Sequence, residues 1–316
     1  MSPGRMASLA LVLWTGAAAA ALWFGRETPP PPPPTEDTEL VAVQARQVER
    51  VREEVDTWAE NHGDRNIPWA DAKGHLAIVI DDVGRDLEAM EALQALRHPL
   101  TFSVLPGAIY APGAQLRLRA DPRRYREIWL HLPMEPMDAA QMFEGDEARE
   151  DFLRVADSPE ALQRKVLAAI EHVPAAVGVN NHMGSRLSAD PRAMAAVMES
   201  LAPTGLAFLD SRTTPETVAA DAARAAGIPT ISRQVFLDHD TRPAAMASAL
   251  EEAIRQSRRG PTVAIGHPSP ELAAVLEAGL ARAHRDKIGI YPLSQLIGRD
   301  RASLEMAELR PEDGSP

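Results

Sequence analysis

The chain has 316 residues, enough to bury a real core, and its 45% hydrophobic and 25% charged content is ordinary for a folded globular protein. A formal net charge of -12 argues against a nucleic-acid binder, which normally presents a basic face. There is no cysteine, so a thiolate zinc site and a disulfide framework are both excluded, and any metal must be held by His, Asp, Glu or water.

In chain order, the first segment is 1–26. Arg5 precedes an uncharged run from Ala7 to Phe24, and Arg26 follows it. This pattern reads as a secretory signal or, at the lower limit of length for a bilayer span, an uncleaved membrane anchor. It predicts export to the periplasm or cell envelope, with the membrane touched only through this segment. Residues 27–38 contain the proline run Pro29 to Pro34, expected to form a semi-rigid spacer. Within 39–73, Val41, Val48, Val51, Val55 and Trp58 recur at helical spacing and predict a helix over Leu40 to Trp58, followed by a connection. The polar tail over 299–316 is predicted to be disordered.

Between 74 and 298 two kinds of segment alternate. Short apolar, β-branched runs occur at Leu76 to Ile80, Thr101 to Leu105, Ile128 to Leu130, Ala176 to Val179, Ala207 to Leu209, Ile231 to Leu237 and Thr262 to Ile265. Longer alanine-rich segments follow them. Several open on a capping residue and a proline: Ser158-Pro159, Asp190-Pro191, Thr214-Pro215 and Ser269-Pro270. Gly227 and Gly260 fit helix ends. Seven strands, each followed by a helix or long loop, predict a parallel α/β fold, for which an open doubly wound sheet and a closed barrel both fit. No glycine-rich phosphate loop follows the first strand, which counts against a nucleotide-binding version.

The polar residues are placed with a pattern. Strand ends carry Asp81-Asp82, His131, Asn180-Asn181-His182, Asp210-Ser211-Arg212, Asp238-His239 and His267. In parallel α/β folds these ends share one rim, where sites are built. Of nine histidines, 131, 182, 239 and 267 fall there, while 62, 75, 98, 172 and 284 do not. Two adjacent carboxylates call for a counter-charge. A divalent cation supplies one, leaving one carboxylate to ligate and the other to take a proton. The plainer alternative is helix capping by Asp82 near Gly84. Glu135, between Pro133 and Pro136, is placed to ligate, to orient His131 or to face solvent. The amides of Asn180 and Asn181 suit an oxyanion donor, a tautomer-fixing role or a local turn. His267, between Gly266 and Pro268, suits a general acid.

Taken together, Ile80-Asp81-Asp82-Val83-Gly84, His131 to Glu135, Asn180 to Ser185, Phe208 to Thr213 and Gly266-His267-Pro268 resemble the divergent polysaccharide deacetylase family, within the wider NodB-homology deacetylases. The resemblance implies a distorted barrel of seven (β/α) units, a mononuclear zinc-like centre and an N-acetylated polysaccharide or cell-wall glycan as substrate. Carried onto this chain, it makes Asp81 the base, Asp82 and His131 metal ligands, and His267 the acid that protonates the leaving amine. Glu135 stands where the superfamily's second metal histidine is usual, and His182 is the candidate to complete the ligand set. Asn181, Asp210, Arg212, His239 and Glu135 are expected at the substrate or around the ligands. Two further functions stay open: a non-catalytic envelope module that binds glycan or a protein, and a metallo-amidase or esterase on another substrate.

Overall fold

The computed structural model describes residues 63–120 and 124–299. The leader, the proline tract, the helix over 40–58 and the tail beyond 299 lie outside the described residues. Among the described residues, no helix is long and apolar enough to cross a membrane.

The alternation read from the sequence is realised as strands β1 (Gly74–Val83), β2 (Thr101–Val104), β3 (Glu127–Met134), β4 (Gly178–Met183), β5 (Ala207–Asp210), β6 (Thr230–Ser232), β7 (Val235–Phe236), β8 (Thr262–Gly266) and β9 (Ile288–Ile290). The helices are α1 (Leu87–Gln94), α2 (Ala111–Ala120), α3 (Pro159–His172), α4 (Pro191–Leu201), α5 (Ala219–Ala225), α6 (Pro243–Ser257) and α7 (Pro270–Arg285). Ser158, Asp190 and Ser269 cap α3, α4 and α7 through their side-chain oxygens, with proline next in line as predicted. Thr214-Pro215 instead opens a turn: Thr214 Oγ1 accepts from Glu216 N, and α5 starts only at Ala219. Gly227 adopts the left-handed φ of 74° beyond α5, whereas Gly260 follows α6 without a positive φ.

All the ladders are parallel, in the order β6-β5-β4-β3-β2-β1-β8-β7, with β9 added beside β1. The two outermost strands, β6 and β7, are joined by Arg233 and Gln234 alone. That link reaches at most about 11 Å, while eight strands laid flat span roughly 34 Å. The sheet is therefore curled into a barrel. Arg233 N bonds Asp210 O on one side of the seam, and Gln234 N bonds Val263 O on the other, each at 3.0 Å. The fold is the expected distorted (β/α) barrel. Its strand count differs because the single predicted strand over 231–237 is broken by this crossing and because β9 was not foreseen.

Strand alternation sorts side chains to two faces. Leu76, Ile78, Ile80, Phe102, Val104, Leu130, Val179 and Phe208 pack outward against the helices. Ala77, Val79, Trp129, Leu209, Ile231, Val263 and Ile265 point inward, where Tyr291, Leu293, Leu296 and Ile297 plug the floor. Glu127 fixes that plug by accepting from Trp129 Nε1 (2.7 Å), Thr101 Oγ1 (3.1 Å) and Ser294 N (3.1 Å). Continuing the inward parity up each strand leads to Asp81, Ser103, His131, Asn180 and His182. Polar groups thus occupy one end of an interior that is apolar in its middle and closed at its base.

Gly178 makes the middle layer possible, because a Cβ there would sit 2.5 Å from the Trp129 ring. Gly178→Ala is expected to destabilise the protein by about 1–3 kcal/mol through overpacking, read from urea unfolding with no loss of secondary structure in the native baseline.

Candidate metal centre

In a regular strand Asp81 and Asp82 would point to opposite faces. The β1–β2 register slips between Ile80 and Val83, and Asp82 takes a left-handed φ of 56°. Both carboxylates consequently reach the mouth of the barrel. Asp82 Oδ1 lies 3.2 Å from His131 Nε2 and 3.0 Å from His182 Nδ1, and the two ring nitrogens are 3.2 Å apart. Ligands held at about 2.0–2.1 Å by a tetrahedral zinc-type ion lie about 3.3 Å from one another, so this triangle has the dimensions of a ligand set.

The surrounding hydrogen bonds decide what the three atoms present. Asn180 Nδ2 donates to both oxygens of Asp81, at 2.9 and 3.1 Å. Its Oδ1 therefore faces His131 Nδ1 (3.0 Å) and the Ser103 hydroxyl, which makes Nδ1 of His131 the protonated nitrogen and leaves Nε2 as a lone pair. Glu147 Oε2 accepts from His182 Nε2 at 2.9 Å, which leaves Nδ1 of His182 as a lone pair. Asp82 Oδ1 is buried and receives no hydrogen bond. Three acceptors thus converge with no proton to share, unless an imidazole is charged or a cation lies among them. Burial opposes a charged His182, but Asp82 and Glu147 outweigh it and push its pKa up to about 9. Burial likewise works against an ionised Asp82, and the close imidazoles of His131 and His182 still hold its carboxyl well below the usual range. The set fits a divalent cation: two imidazole lone pairs, one orphaned carboxylate oxygen and outer partners that fix each tautomer.

Asp81 is set apart from this triangle. It is buried, lies 3.6 Å from His131 Nε2 and accepts the Asn180 amide. Burial lifts its pKa, with His131, His267 and Asn180 pulling the other way. His267 Nδ1 faces both oxygens of Asp238 at 3.3 Å, and its backbone N–H donates to Asp238 Oδ2 at 2.6 Å. Burial disfavours its charged form, but Asp238 first, then Asp82 and Asp81, raise its pKa to about 9.

Comparison with known proteins bears on this geometry. The family model "Divergent polysaccharide deacetylase" matches residues 78–297, which span the barrel from β1 to the floor plug. The chain belongs to that family. Two similar proteins are an uncharacterized protein of Haemophilus influenzae, 36% identical over 216 residues (68% of this chain, 74% of the relative), and Escherichia coli YibQ, 36% identical over 205 residues (65% and 61%). Among solved structures, an uncharacterized protein of Agrobacterium tumefaciens superposes with a TM-score of 0.64 at 23% identity, covering 73% of this chain and 93% of that one, which is a likeness of fold.

As a member of this family, the chain holds some of its expected residues away from the centre. Glu135 accepts from Val155 N (2.7 Å) and pairs with Arg186 (3.0 Å); it braces the segment after β3, and His182 takes the third corner. Asn181 donates to Met183 O (2.8 Å) and accepts from Ser211 N (2.9 Å), so it ties the ends of β4 and β5 while its neighbour Asn180 serves the site. Asp210 accepts from Arg212 N (2.9 Å) and Thr217, which spends its carboxylate on the loop after β5. Arg212 is exposed at a left-handed φ of 51° and supports the loop through its carbonyl, an acceptor for Arg233. His239 is exposed with Asp240 as its charged neighbour, and the adjacent Asp238 is the residue that bonds His267.

Asn180 takes the tautomer-fixing role that the sequence offered to either asparagine, and three contributors stand outside the expected set of side chains: Asp238, Glu147 and Arg85, whose Nη1 donates to Asp82 Oδ2 at 3.1 Å while Nη2 bonds Glu147. Asn180 is legible from period-two alternation, two residues before His182 on the same face. Arg85 falls three residues after Asp82. Glu147 lies in an acidic stretch with no distinguishing signal.

In the metal-free protein His267 is expected to titrate near pH 9. Asp238→Asn should lower that midpoint, since it removes the group that raises it most, as followed by the imidazole proton resonance. Because the folded pKa is raised, the stabilisation it adds is complete below about pH 6.5 and is lost as pH rises through about 9. The variant should show a smaller pH-dependent increment, since Asp82 and Asp81 remain.

Proposed function

We propose that this protein is a metal-dependent hydrolase of the cell envelope that removes N-acetyl groups from a glycan. The observation that carries the reading is the triangle of Asp82 Oδ1, His131 Nε2 and His182 Nδ1 at 3.0–3.2 Å, with Asp81 beside it and outside it. Asp82, His131 and His182 would hold a divalent ion, most simply zinc. When bound, such an ion supplies Lewis acidity to a water and to an amide carbonyl.

The remaining work falls to the chain. Asp81 receives the proton of the attacking water; its raised pKa brings it nearer the working pH of a general base, and the Asn180 amide holds its carboxylate in place. His267, charged and anchored by Asp238, delivers a proton to the departing amine. The closed floor and the apolar middle layer keep bulk water on one side of the centre, which strengthens every charge interaction there. Envelope placement rests on the uncharged run over 7–24, and the N-acetylated glycan on the family to which the chain belongs.

The full-length chain is expected to bind one equivalent of zinc and to release acetate from N-acetylglucosamine oligomers, with activity lost to a chelator and restored by the ion. Asp81→Asn should keep the metal and lose about 10²–10⁴-fold in turnover, measured as acetate release beside metal content. Full activity in that variant would remove Asp81 from its role. Metal binding without acetate release on any acetylated glycan would leave a different amide or ester as the substrate.

A further inference from the structure

The connection from β3 to α3 covers residues 135–158 and contains two short 3-10 turns, Ala139–Phe143 and Gly145–Arg149. Between 137 and 149 every side chain is exposed or partly exposed except Met142 and Glu147. A carboxylate is the costliest group to bury on so exposed a stretch, and it persists only with partners. Glu147 has two. Its Oε2 accepts from His182 Nε2 (2.9 Å), and its Oε1 accepts from Arg85, which also donates to Asp82 Oδ2 (3.1 Å). Glu147, His182, Asp82 and Arg85 thus form a closed ring through two of the three corners of the triangle.

This ring explains a difference between the two histidines. His131 offers Nε2 because Asn180, on an adjacent strand, takes its Nδ1–H. His182 offers Nδ1 because a residue on an exposed connection takes its Nε2–H. We propose that Glu147 is the positioning residue that makes His182 a ligand through Nδ1, and that occupancy of the centre and order of the 137–149 segment are thereby one coupled equilibrium. The inference rests on the metal reading of the triangle. Its physical basis is that both neighbours of the carboxylate are donors, an imidazole N–H and a guanidinium. Only a group with two acceptor oxygens satisfies both. Glutamine, of the same shape, satisfies one and turns an N–H toward the other. Coupling of this kind is reciprocal: an ion that favours the Nδ1-ligating tautomer favours the segment that enforces it, by the same factor.

The test uses the full-length chain in detergent, with zinc affinity measured by competition against a chromophoric chelator. Glu147→Gln is expected to weaken binding about 10–100-fold, the usual effect of losing a partner behind a ligand. Glu150→Gln serves as the control. Glu150 lies on the same connection and bonds Gly107 N (2.9 Å), without a hydrogen bond to His182; its variant should stay within about threefold of wild type. Independently of any variant, zinc should slow amide exchange across 137–149 in the wild type by at least about tenfold. Wild-type affinity in Glu147→Gln, an equal loss in Glu150→Gln, or zinc-insensitive exchange in the wild type would each overturn the inference. A wild-type chain that binds no zinc at all would instead defeat the metal reading beneath it.

Discussion

Three lone pairs facing one another across about 3 Å, in a barrel mouth closed at its far end, are the constraint around which this molecule is organised. Such an arrangement repels itself. It persists because each ring nitrogen not in the triangle is committed elsewhere, His131 to Asn180 and His182 to Glu147, so neither imidazole can turn its proton inward without breaking a buried hydrogen bond. Asp82 and Glu147 favour a charged His182, which eases that repulsion. A divalent ion held there would ease it with two positive charges and would compete with that proton.

The barrel supplies this geometry cheaply. Ser103, His131, Asn180 and His182 come from three neighbouring strands whose register is fixed below them by Trp129 packing over Gly178 and by Glu127 clasping the C-terminal plug. The floor therefore sets the mouth. The layers of the interior share strands: β3 and β4, which seat Trp129 against Gly178, also carry the two histidines. The His267 side is built separately, from the end of β8 and the residue after Leu237, and it acts on the triangle through charge.

Much of this was legible in the sequence. Parallel α/β organisation follows from β-branched runs alternating with capped alanine-rich segments, because those signals are local. Asp82, His131 and His182 stand out because they occupy the same end of different strands, which parallel topology must gather. What escaped was contributed by parity and by long loops. Asn180 and Asn181 were both candidates, and the two-residue period that puts 180 with 182 separates them; Asp238 is distinguished from His239 by its place, not by its side-chain type. Glu147 was out of reach, since an acid in a 24-residue connection shows no periodicity and its burial is decided by tertiary contact alone. Glu135 stands where the resemblance places a ligand, while the chain around it provides Arg186 and an amide N–H.

The slip in β1 has an evolutionary meaning. The outward side of that strand, where Ile78 and Ile80 pack with Met90 and Leu93, offers an ionised group neither water nor a partner. Were the bulge healed by removing one residue, the dipeptide would survive in the sequence while one of its carboxylates swung into that oily layer. Conservation of Asp-Asp in a relative would then say little about its chemistry. The left-handed backbone at position 82, and the spacing that permits it, is the feature that keeps two acids on the same side of the wall.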